Sequence, residues 1–370
     1  MTCYLNEIDF SEWGLKMVEP LNGGPYPLAG EFELIERCNM ACKHCFINQP
    51  AGDALARSRE LSTAQVKDIL DQIADAGCLQ LLLTGGEPLL RPDFPEIYLH
   101  ARRRGLMVLL FTNATMVTPE IIEVLKYAPP VLVEVSIYGV TRETYESVTG
   151  LPGSFDRFMN GIHLLKDSGL PLATKSALLS LNKHELPLMK AFAEELGVRF
   201  GYDGSMWPRL KGQDRSADYR LSMEDVLALD QNDPERMQTW MEYYNASMGK
   251  SPKSERYAFN CGAGYRSFHI DSRGNLDACM MVRKPSFNIL ELGFQKAWEE
   301  LGKFRWIERT KPTPCASCSA ASMCIQCPGW SQMVHDDNES VVDYVCKLTK
   351  TRERNINYNL SLIEENISNG

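Results

Sequence analysis

The chain lacks a long hydrophobic run, an excess of basic residues and a recognisable signal peptide. Its longest unbroken apolar stretch, 106–111, is far shorter than the roughly 18 to 20 residues of a membrane span, so no membrane association is expected. The N-terminus shows no basic region followed by an apolar block, which predicts a cytoplasmic protein. With 39 basic and 48 acidic residues the net charge is −9, which argues against a nucleic-acid partner. The six histidines form no Ser-His-Asp pattern that would indicate a hydrolase.

Twelve cysteines are the unusual feature of a chain without a secretion signal. In a reducing compartment, clustered thiols more often hold metal than form disulfides. Ten of them form two groups, separated by more than two hundred residues that contain only Cys78. The N-terminal group is Cys38, Cys42 and Cys45, and the C-terminal group is Cys261, Cys279, Cys315, Cys318, Cys324, Cys327 and Cys346. The sequence therefore predicts two metal-binding regions, with Cys78 expected in the hydrophobic core.

Short apolar strands alternate with helical segments between the two groups. Ser62 and Gln65 form a capping box, and the apolar residues that follow recur at the spacing of one buried helix face. Strands are predicted over 31–36, 79–83, 106–111, 131–136, 172–178 and 198–202. This alternation predicts an α/β protein with a parallel sheet buried on both faces and right-handed crossovers. Six such units would form a partial (β/α)6 barrel of the TIM type.

Changes in composition predict the domain organisation. After the barrel, 211–260 is polar and helix-prone, and 268–276 has the pattern of a hairpin with Gly274 in its turn. The expected regions are an N-terminal extension (1–30), the partial barrel (31–210), a helical connection (211–260), a small C-terminal cysteine-rich iron–sulfur domain (261–346) and a helical tail (347–370).

The spacing of the N-terminal cysteines indicates an incompletely coordinated cluster. Three and then two residues separate Cys38, Cys42 and Cys45, which follow the first predicted strand, where barrel active sites lie. Three thiolates cannot complete a four-iron cluster, because each iron needs an outer ligand, so one iron stays open for a substrate or cofactor. A structural zinc ion would need a fourth ligand, and the only local candidate, His44, lies cramped between two of the cysteines.

Two motifs together resemble the radical S-adenosylmethionine (radical SAM) superfamily: the Cys38-x3-Cys42-x2-Cys45 loop and Gly85-Gly86-Glu87-Pro88 after the second strand. The resemblance implies that the three thiols bind a 4Fe–4S cluster whose open iron takes the amino and carboxylate groups of S-adenosylmethionine. It also implies that the glycine turn contacts that amino group. The residues expected in the turn contact are Gly85, Gly86 and Glu87.

Further cofactor contacts follow from the same resemblance. Asn113 after the third strand and Ser136 after the fourth are expected to contact ribose or carboxylate. His44 stands where the family usually has an aromatic residue, so its imidazole is the candidate adenine contact. Alternatives remain open, because Gly85 to Pro88 alone is typical of a tight turn, and Asn and Ser favour turns and helix caps.

The C-terminal thiols favour iron–sulfur ligation over zinc. A zinc ribbon would separate its Cys-x2-Cys pairs by roughly a dozen residues or more, whereas five lie between Cys318 and Cys324. The arrangement resembles the SPASM extension of radical SAM proteins, which holds two auxiliary 4Fe–4S clusters. The resemblance implies one complete ligand set, which is Cys315, Cys318, Cys324 and Cys346. It implies a second set, one ligand short, which is Cys261, Cys279 and Cys327.

The second auxiliary cluster would have an open iron, able to bind a substrate thiolate, or a non-cysteine ligand. Cys3 is a further candidate, although a mobile terminus argues against it. SPASM proteins mostly modify ribosomally made peptides or protein side chains, so the first prediction is oxidative modification of a peptide by a thioether, carbon–carbon or related crosslink. The resemblance implies that a 5′-deoxyadenosyl radical abstracts hydrogen from the substrate. It also implies an external reductant, such as flavodoxin or ferredoxin, and a peptide presented by a separate recognition protein or gripped by the chain itself.

Other functions stay open. Asp203, after the sixth strand, is a candidate acid or base, with a turn-forming role as the alternative. Radical oxidation of a small molecule, such as an alcohol or a porphyrin side chain, would begin with the same 5′-deoxyadenosyl radical. A sulfatase-maturase type is disfavoured because Met280 follows Cys279, where that subclass carries an Asp. A non-enzymatic iron–sulfur electron carrier is the remaining alternative.

Overall fold

A single sheet connects the barrel to the cysteine-rich C-terminal region. The structure, a computed structural model, describes residues 24–47, 49–210, 216–247, 256–259, 261–315 and 317–368. The strands in these ranges are β1 (Ala29–Glu33), β2 (Arg37–Cys38), β3 (Gln49–Pro50), β4 (Gln80–Thr84), β5 (Met107–Thr112), β6 (Leu132–Ser136), β7 (Leu172–Ala177), β8 (Arg199–Asp203), β9 (Ser267–Ile270), β10 (Asn275–Asp277) and β11 (Phe287–Asn288). Nine of these described strands form one sheet in the order β11-β10-β9-β1-β4-β5-β6-β7-β8.

Six parallel strands form the partial barrel, which confirms the predicted fold class. Neighbours from β1 through β4 to β8 all pair in parallel. Alternate residues such as Leu81, Leu83 and Val108 are fully buried beneath the helices, because successive side chains of a strand point to opposite faces. The first strand runs over 29–33 instead of the predicted 31–36, since the chain leaves the sheet early to form the cysteine loop.

The helices lie between and after the strands. Their bounds are α1 (Ala54–Arg59), α2 (Thr63–Asp75), α3 (Phe94–Arg103), α4 (Pro119–Tyr127), α5 (Arg142–Thr149), α6 (Ser154–Asp167), α7 (Leu186–Leu196), α8 (Met223–Gln231), α9 (Pro234–Ser247), α10 (Ile289–Leu292), α11 (Phe294–Gly302), α12 (Pro328–His335) and α13 (Asp343–Ser368). The predicted capping box of Ser62 and Gln65 opens α2. Among the described residues, none of these helices is both long enough and apolar enough to cross a bilayer.

The C-terminal hairpin extends the barrel sheet. Strands β9 and β10 are antiparallel, and Gly274 adopts a φ of +82° in their turn, as predicted. Strand β9 pairs in parallel with β1, so that Ala29 lies opposite Ser267 and Phe32 opposite Ile270. Through β9, the cysteine-rich region therefore shares a sheet with the barrel. The predicted domain boundaries stay predictions, and Cys3 lies outside the described residues.

Candidate functional site

Backbone hydrogen bonds attach the N-terminal cysteine loop to the carboxyl end of α5. The backbone N–H of Ala41 donates to the carbonyl of Thr149 at 2.9 Å, and that of Lys43 donates to Val148 at 3.0 Å. Gly150 follows with a φ of +65°, and a side chain there would place Cβ only 2.9 Å from the Ala41 carbonyl oxygen. These two hydrogen bonds and the close approach at Gly150 therefore fix the backbone path of the loop.

The three thiols of this loop converge. Cys42 is buried, and Cys38 and Cys45 are half-buried. A thiolate at Cys45 would raise the pKa of Cys38 and of Cys42, and a thiolate at Cys38 would also raise the pKa of Cys42, so the three sulfurs are close enough to interact. Burial is the larger cause, and it raises the pKa of Cys38 to about 12. The Cys38 Sγ accepts hydrogen bonds from the Met40 N–H at 3.4 Å and from Asn113 Nδ2 at 3.7 Å. Such bonds to sulfur also stabilise and tune cluster thiolates.

A single metal ion does not match the spacing of these groups. Within the described ranges, no cluster of three or more His, Cys, Asp or Glu side chains has the arrangement that would hold one ion. In a 4Fe–4S cluster each thiolate binds a different iron atom, so the thiolates lie farther apart than the ligands of a single ion. The donor set of three convergent thiols fits such a cluster, and metal binding would drive their deprotonation.

The glycine turn lies against the segment that leads into Cys38. Gly86 N–H donates to the Ile35 carbonyl at 2.7 Å, and Glu87 N–H donates to the Arg37 carbonyl at 3.1 Å. Added Cβ atoms would lie 2.3 Å from the Ile35 oxygen at Gly85, whose φ is +133°, and 2.2 Å from the Arg37 oxygen at Gly86. The tight-turn interpretation is therefore confirmed, and the turn lies beside the cysteine loop, whereas its contact with a cofactor stays a prediction.

Glu87 connects the ends of two neighbouring strands. Its carboxylate is buried and accepts hydrogen bonds from Thr112 Oγ1 at 2.8 Å, Leu89 N–H at 3.1 Å and Asn113 N–H at 2.8 Å. Burial raises its pKa to about 7, although these donors oppose the rise. Its direct role is to order the carboxyl end of β5, and its contact with a cofactor amino group stays a prediction.

Asn113 takes part in a polar cluster that the sequence analysis did not resolve. Its Nδ2 donates to Asn39 Oδ1 at 3.0 Å, and Asn39 Nδ2 donates to Thr115 Oγ1 at 2.8 Å. Thr115 in turn donates through Oγ1 to Asn113 Oδ1 at 2.6 Å. Asn39 follows Cys38 directly, so its polar side chain inside the cysteine motif was the available signal. This set of polar side chains fixes the orientation of Asn113, which donates to the Cys38 sulfur.

His44 packs against Tyr138, which the sequence analysis missed. Their ring centroids lie 4.7 Å apart, and His44 Nε2 is 3.2 Å from the Tyr138 hydroxyl. Burial lowers the pKa of His44 to about 4, so the imidazole is neutral near pH 7. Its Nδ1 is buried without a hydrogen-bond partner among the described residues and is free to contact a ligand. Ser136 shares a side-chain hydrogen bond with Tyr138, which places it beside this pair.

Asp203 lies at the exposed end of β8. Its Oδ1 accepts the backbone N–H of Ser205 at 2.8 Å. This is the turn-forming arrangement that the sequence analysis gave as the alternative. Its role as an acid or base stays a prediction.

The C-terminal thiols lie around two neighbouring cavities, and their division into two ligand sets stays a prediction. One small pocket is lined by Cys315, Cys318, Cys324 and Cys346. Burial and then the three other sulfurs raise the pKa of Cys346, with Lys350 opposing them. The pKa of Cys279 is raised to about 12, chiefly by burial, with smaller contributions from Cys327 and Cys261. Cys261 and Cys327 line a cavity of about 190 Å³, and Cys315 lines both this cavity and the small pocket. Cys78 is buried in the core, as expected.

A buried ionic network joins β1 to the C-terminal hairpin. Arg283 donates to Glu33 at 2.7 Å, and the two nitrogens of His269 lie 3.2 Å from Glu33 and from Asp277. Burial alone would raise the pKa of Glu33, but His269 and Arg283 outweigh it and lower the pKa to about 2. These pairs hold the hairpin against the barrel near the cysteine loop.

These features define an α/β barrel with a thiol-rich site at the carboxyl end of its first strand. Residues 32–191 match the model of the Radical SAM superfamily, and the chain therefore contains a radical SAM domain. This match confirms the predicted enzyme class, which implies S-adenosylmethionine and a 4Fe–4S cluster.

Curated relatives extend over most of the chain. The AdoMet-dependent heme synthase of Methanosarcina barkeri is 28% identical over 315 residues, 80% of this chain and 89% of that protein. The mycofactocin maturase MftC of Mycolicibacterium smegmatis is 29% identical over 324 residues, 84% of this chain and 80% of that protein. The crystal structure of Streptococcus suis SuiB bound to precursor peptide SuiA superposes with a TM-score of 0.66, covering 91% of this chain and 79% of SuiB. At 18% identity this last likeness shows the fold alone.

Proposed function

We propose that this chain is a radical SAM enzyme of the SPASM type that oxidatively modifies a ribosomally made peptide. The observation that carries the proposal is the convergence of the Cys38, Cys42 and Cys45 thiols beside the Gly85-Gly86 turn. Cys38, Cys42 and Cys45 would hold the cluster, which with S-adenosylmethionine and one electron from an external reductant would supply a 5′-deoxyadenosyl radical, with methionine released, to remove a hydrogen atom from the substrate.

The chain's own residues orient these groups. Asn113 and the Met40 N–H donate to the Cys38 sulfur and fix its direction toward the cluster. Gly85 and Gly86 allow the turn to pack directly against the segment that leads into Cys38, since an added Cβ at either would lie within 2.3 Å of a backbone oxygen of that segment. Among the described residues the Nδ1 of neutral His44 has no hydrogen-bond partner, so it is available to a polar edge of a bound adenine.

A peptide substrate is supported by the curated maturase relative and by the fold shared with SuiB, which is solved with its precursor peptide. Two auxiliary 4Fe–4S clusters would accept the electron left on the substrate. The common pocket of Cys315, Cys318, Cys324 and Cys346 supports one of these clusters, and the interaction of Cys279 with Cys327 and Cys261 supports the other. An external reductant, a separate peptide-recognition protein and a cytoplasmic location belong to the same proposal.

A porphyrin-like small molecule is the second candidate substrate. The heme synthase relative is covered over 89% of its length, which favours this alternative specifically. Both functions share the radical initiation at Cys38, Cys42 and Cys45, and they differ only in what binds beside it.

The test is release of 5′-deoxyadenosine by anaerobically reconstituted protein given S-adenosylmethionine and a strong reductant. Wild type and Cys78→Ala should release it, because Cys78 is a core residue outside both thiol groups. Cys42→Ala should not release it. Adding precursor peptides or iron coproporphyrin III, and following the mass of each, separates the two substrates. Absence of 5′-deoxyadenosine from the wild type would leave the electron-carrier alternative.

A further inference from the structure

A cavity of about 870 Å³ lies beside the cysteine loop. Phe46 and Ile47, which follow Cys45, form part of its wall, and so does Glu33 at the end of β1. Glu33 is two residues beyond Glu31, so both point to the same face of the sheet. Charges on Glu31 and on Lys175 of β7 interact across the barrel, which places this face on the barrel interior. The cavity is therefore on the side of the sheet where a barrel binds its substrate.

The cations in the cavity wall are mostly neutralised by neighbouring carboxylates. Arg283 pairs with Glu33 at 2.7 Å. Arg273 pairs with Asp271 at 2.7 Å, and Lys284 pairs with Asp336 at 2.6 Å. These three cations are already committed to the protein itself.

Arg209 differs from the other three cations. In the part of the chain that the structure describes, no carboxylate pairs with its guanidinium, and its buried Nε has no hydrogen-bond partner. The backbone N–H of the next residue, Leu210, donates to the Phe46 carbonyl at 3.0 Å. This bond fixes the loop that carries Arg209 beside the residue directly after Cys45. Leu210, Met281 and Met333 supply apolar wall to the same cavity.

We propose that Arg209 forms a carboxylate-binding subsite for the substrate, with the apolar wall taking the body of the molecule. A guanidinium matches a planar carboxylate through two parallel N–H donors, and a partly buried cation without a counter-ion gains most from such a partner. A cavity of this volume holds a ligand of drug size or a short peptide segment. The subsite deepens the proposed function and rests on it.

Two substrates share this chemistry: a peptide with an Asp or Glu side chain, and a porphyrin with propionate groups. Binding to the reconstituted holoenzyme is measured with two probes. Zinc protoporphyrin IX is compared with its dimethyl ester by fluorescence anisotropy. An immobilised library of random dodecapeptides is compared before and after selection for its content of Asp and Glu.

Wild type should prefer the carboxylate form in either the porphyrin comparison or the peptide comparison. The comparison that shows this preference identifies the substrate class. Arg209→Met should weaken binding of the carboxylate form by roughly 10- to 100-fold, the usual effect of losing a charge-assisted hydrogen-bonding partner. Arg209→Lys should recover part of the preference. Lys126→Met, which removes an exposed cation on α4 outside the cavity wall, is the control and should keep it.

The subsite is wrong if the wild type shows no carboxylate preference in either comparison, or if Arg209→Met keeps the full preference. Release of 5′-deoxyadenosine by the wild type in the same preparation is a separate readout. Its absence would overturn the proposed function while leaving the binding comparison intact. Its presence without a carboxylate preference would overturn the Arg209 subsite alone.

Discussion

Replacing His269 with glutamine should remove a pH-dependent part of the stability of this protein. The imidazole is fully buried between Glu33 and Asp277, 3.2 Å from each. Burial and the nearby charge of Arg283 lower the pKa of His269, but Glu33 and Asp277 outweigh them and raise it to about 9.

The sign and size of the effect follow from this raised pKa. A group whose pKa rises on folding stabilises the folded state fully below its unfolded pKa, here 6.5, and the contribution is lost as the pH approaches 9. The rise from 6.5 to about 9 corresponds to roughly 3 kcal/mol at 1.36 kcal/mol per pKa unit. Glu33 affects stability at the acidic end of the pH range, because folding lowers its pKa from 4.5 to about 2. Its contribution is lost only as the pH falls from 4.5 toward 2.

The assay is urea unfolding at pH 6.5 and at pH 9, for wild type, His269→Gln and His163→Gln. His163 is exposed on α6, so its substitution controls for the loss of any imidazole. Between the two pH values, wild type and His163→Gln should lose about 3 kcal/mol more unfolding free energy than His269→Gln. Equal losses in all three proteins would refute the reasoning.

Three further substitutions test the site. Gly85→Ala should weaken S-adenosylmethionine binding at least tenfold by calorimetry, because its Cβ would lie 2.3 Å from a backbone oxygen; Gly52→Ala, with nothing within 4 Å, should not. Asn113→Ala should shift one cluster potential to a more negative value in an EPR-monitored titration, since it removes a donor to the Cys38 sulfur. An unchanged potential would contradict this. Cys346→Ala should lower the iron content by about four atoms per chain, and full retention of iron would exclude Cys346 as a ligand.

Local signals predicted the elements of the barrel. Ser62 and Gln65 identified the start of α2 because a capping box involves only neighbouring residues. Gly274 identified the hairpin turn, since the turn needs a positive φ. Strand positions agreed to within a few residues because a buried parallel strand is a short apolar run.

The partner of the C-terminal hairpin could not be predicted. Strand β9 pairs with β1 across more than two hundred residues of chain, and a short strand carries no information about its distant neighbour. The ionic network of Glu33, His269 and Asp277 depends on that pairing, so it could not be predicted from the sequence either.

The candidate site shows the same division. The spacing of Cys38, Cys42 and Cys45 identified the cysteine loop, because ligands of one cluster lie close in sequence. Arg209 was not identified, since its position depends on the return of a loop from β8 to Phe46. An isolated arginine in a sequence gives no indication that the described part of the fold brings no carboxylate to it.

The central claim is that Cys38, Cys42 and Cys45 hold a four-iron cluster with one iron open to S-adenosylmethionine. EPR spectra of the anaerobically reduced protein, recorded before and after S-adenosylmethionine is added, test it most directly. One signal should change on addition, and Cys42→Ala should lack that signal while keeping the others. Zinc bound to these three sulfurs, or a wild-type spectrum that S-adenosylmethionine leaves unchanged, would contradict the claim.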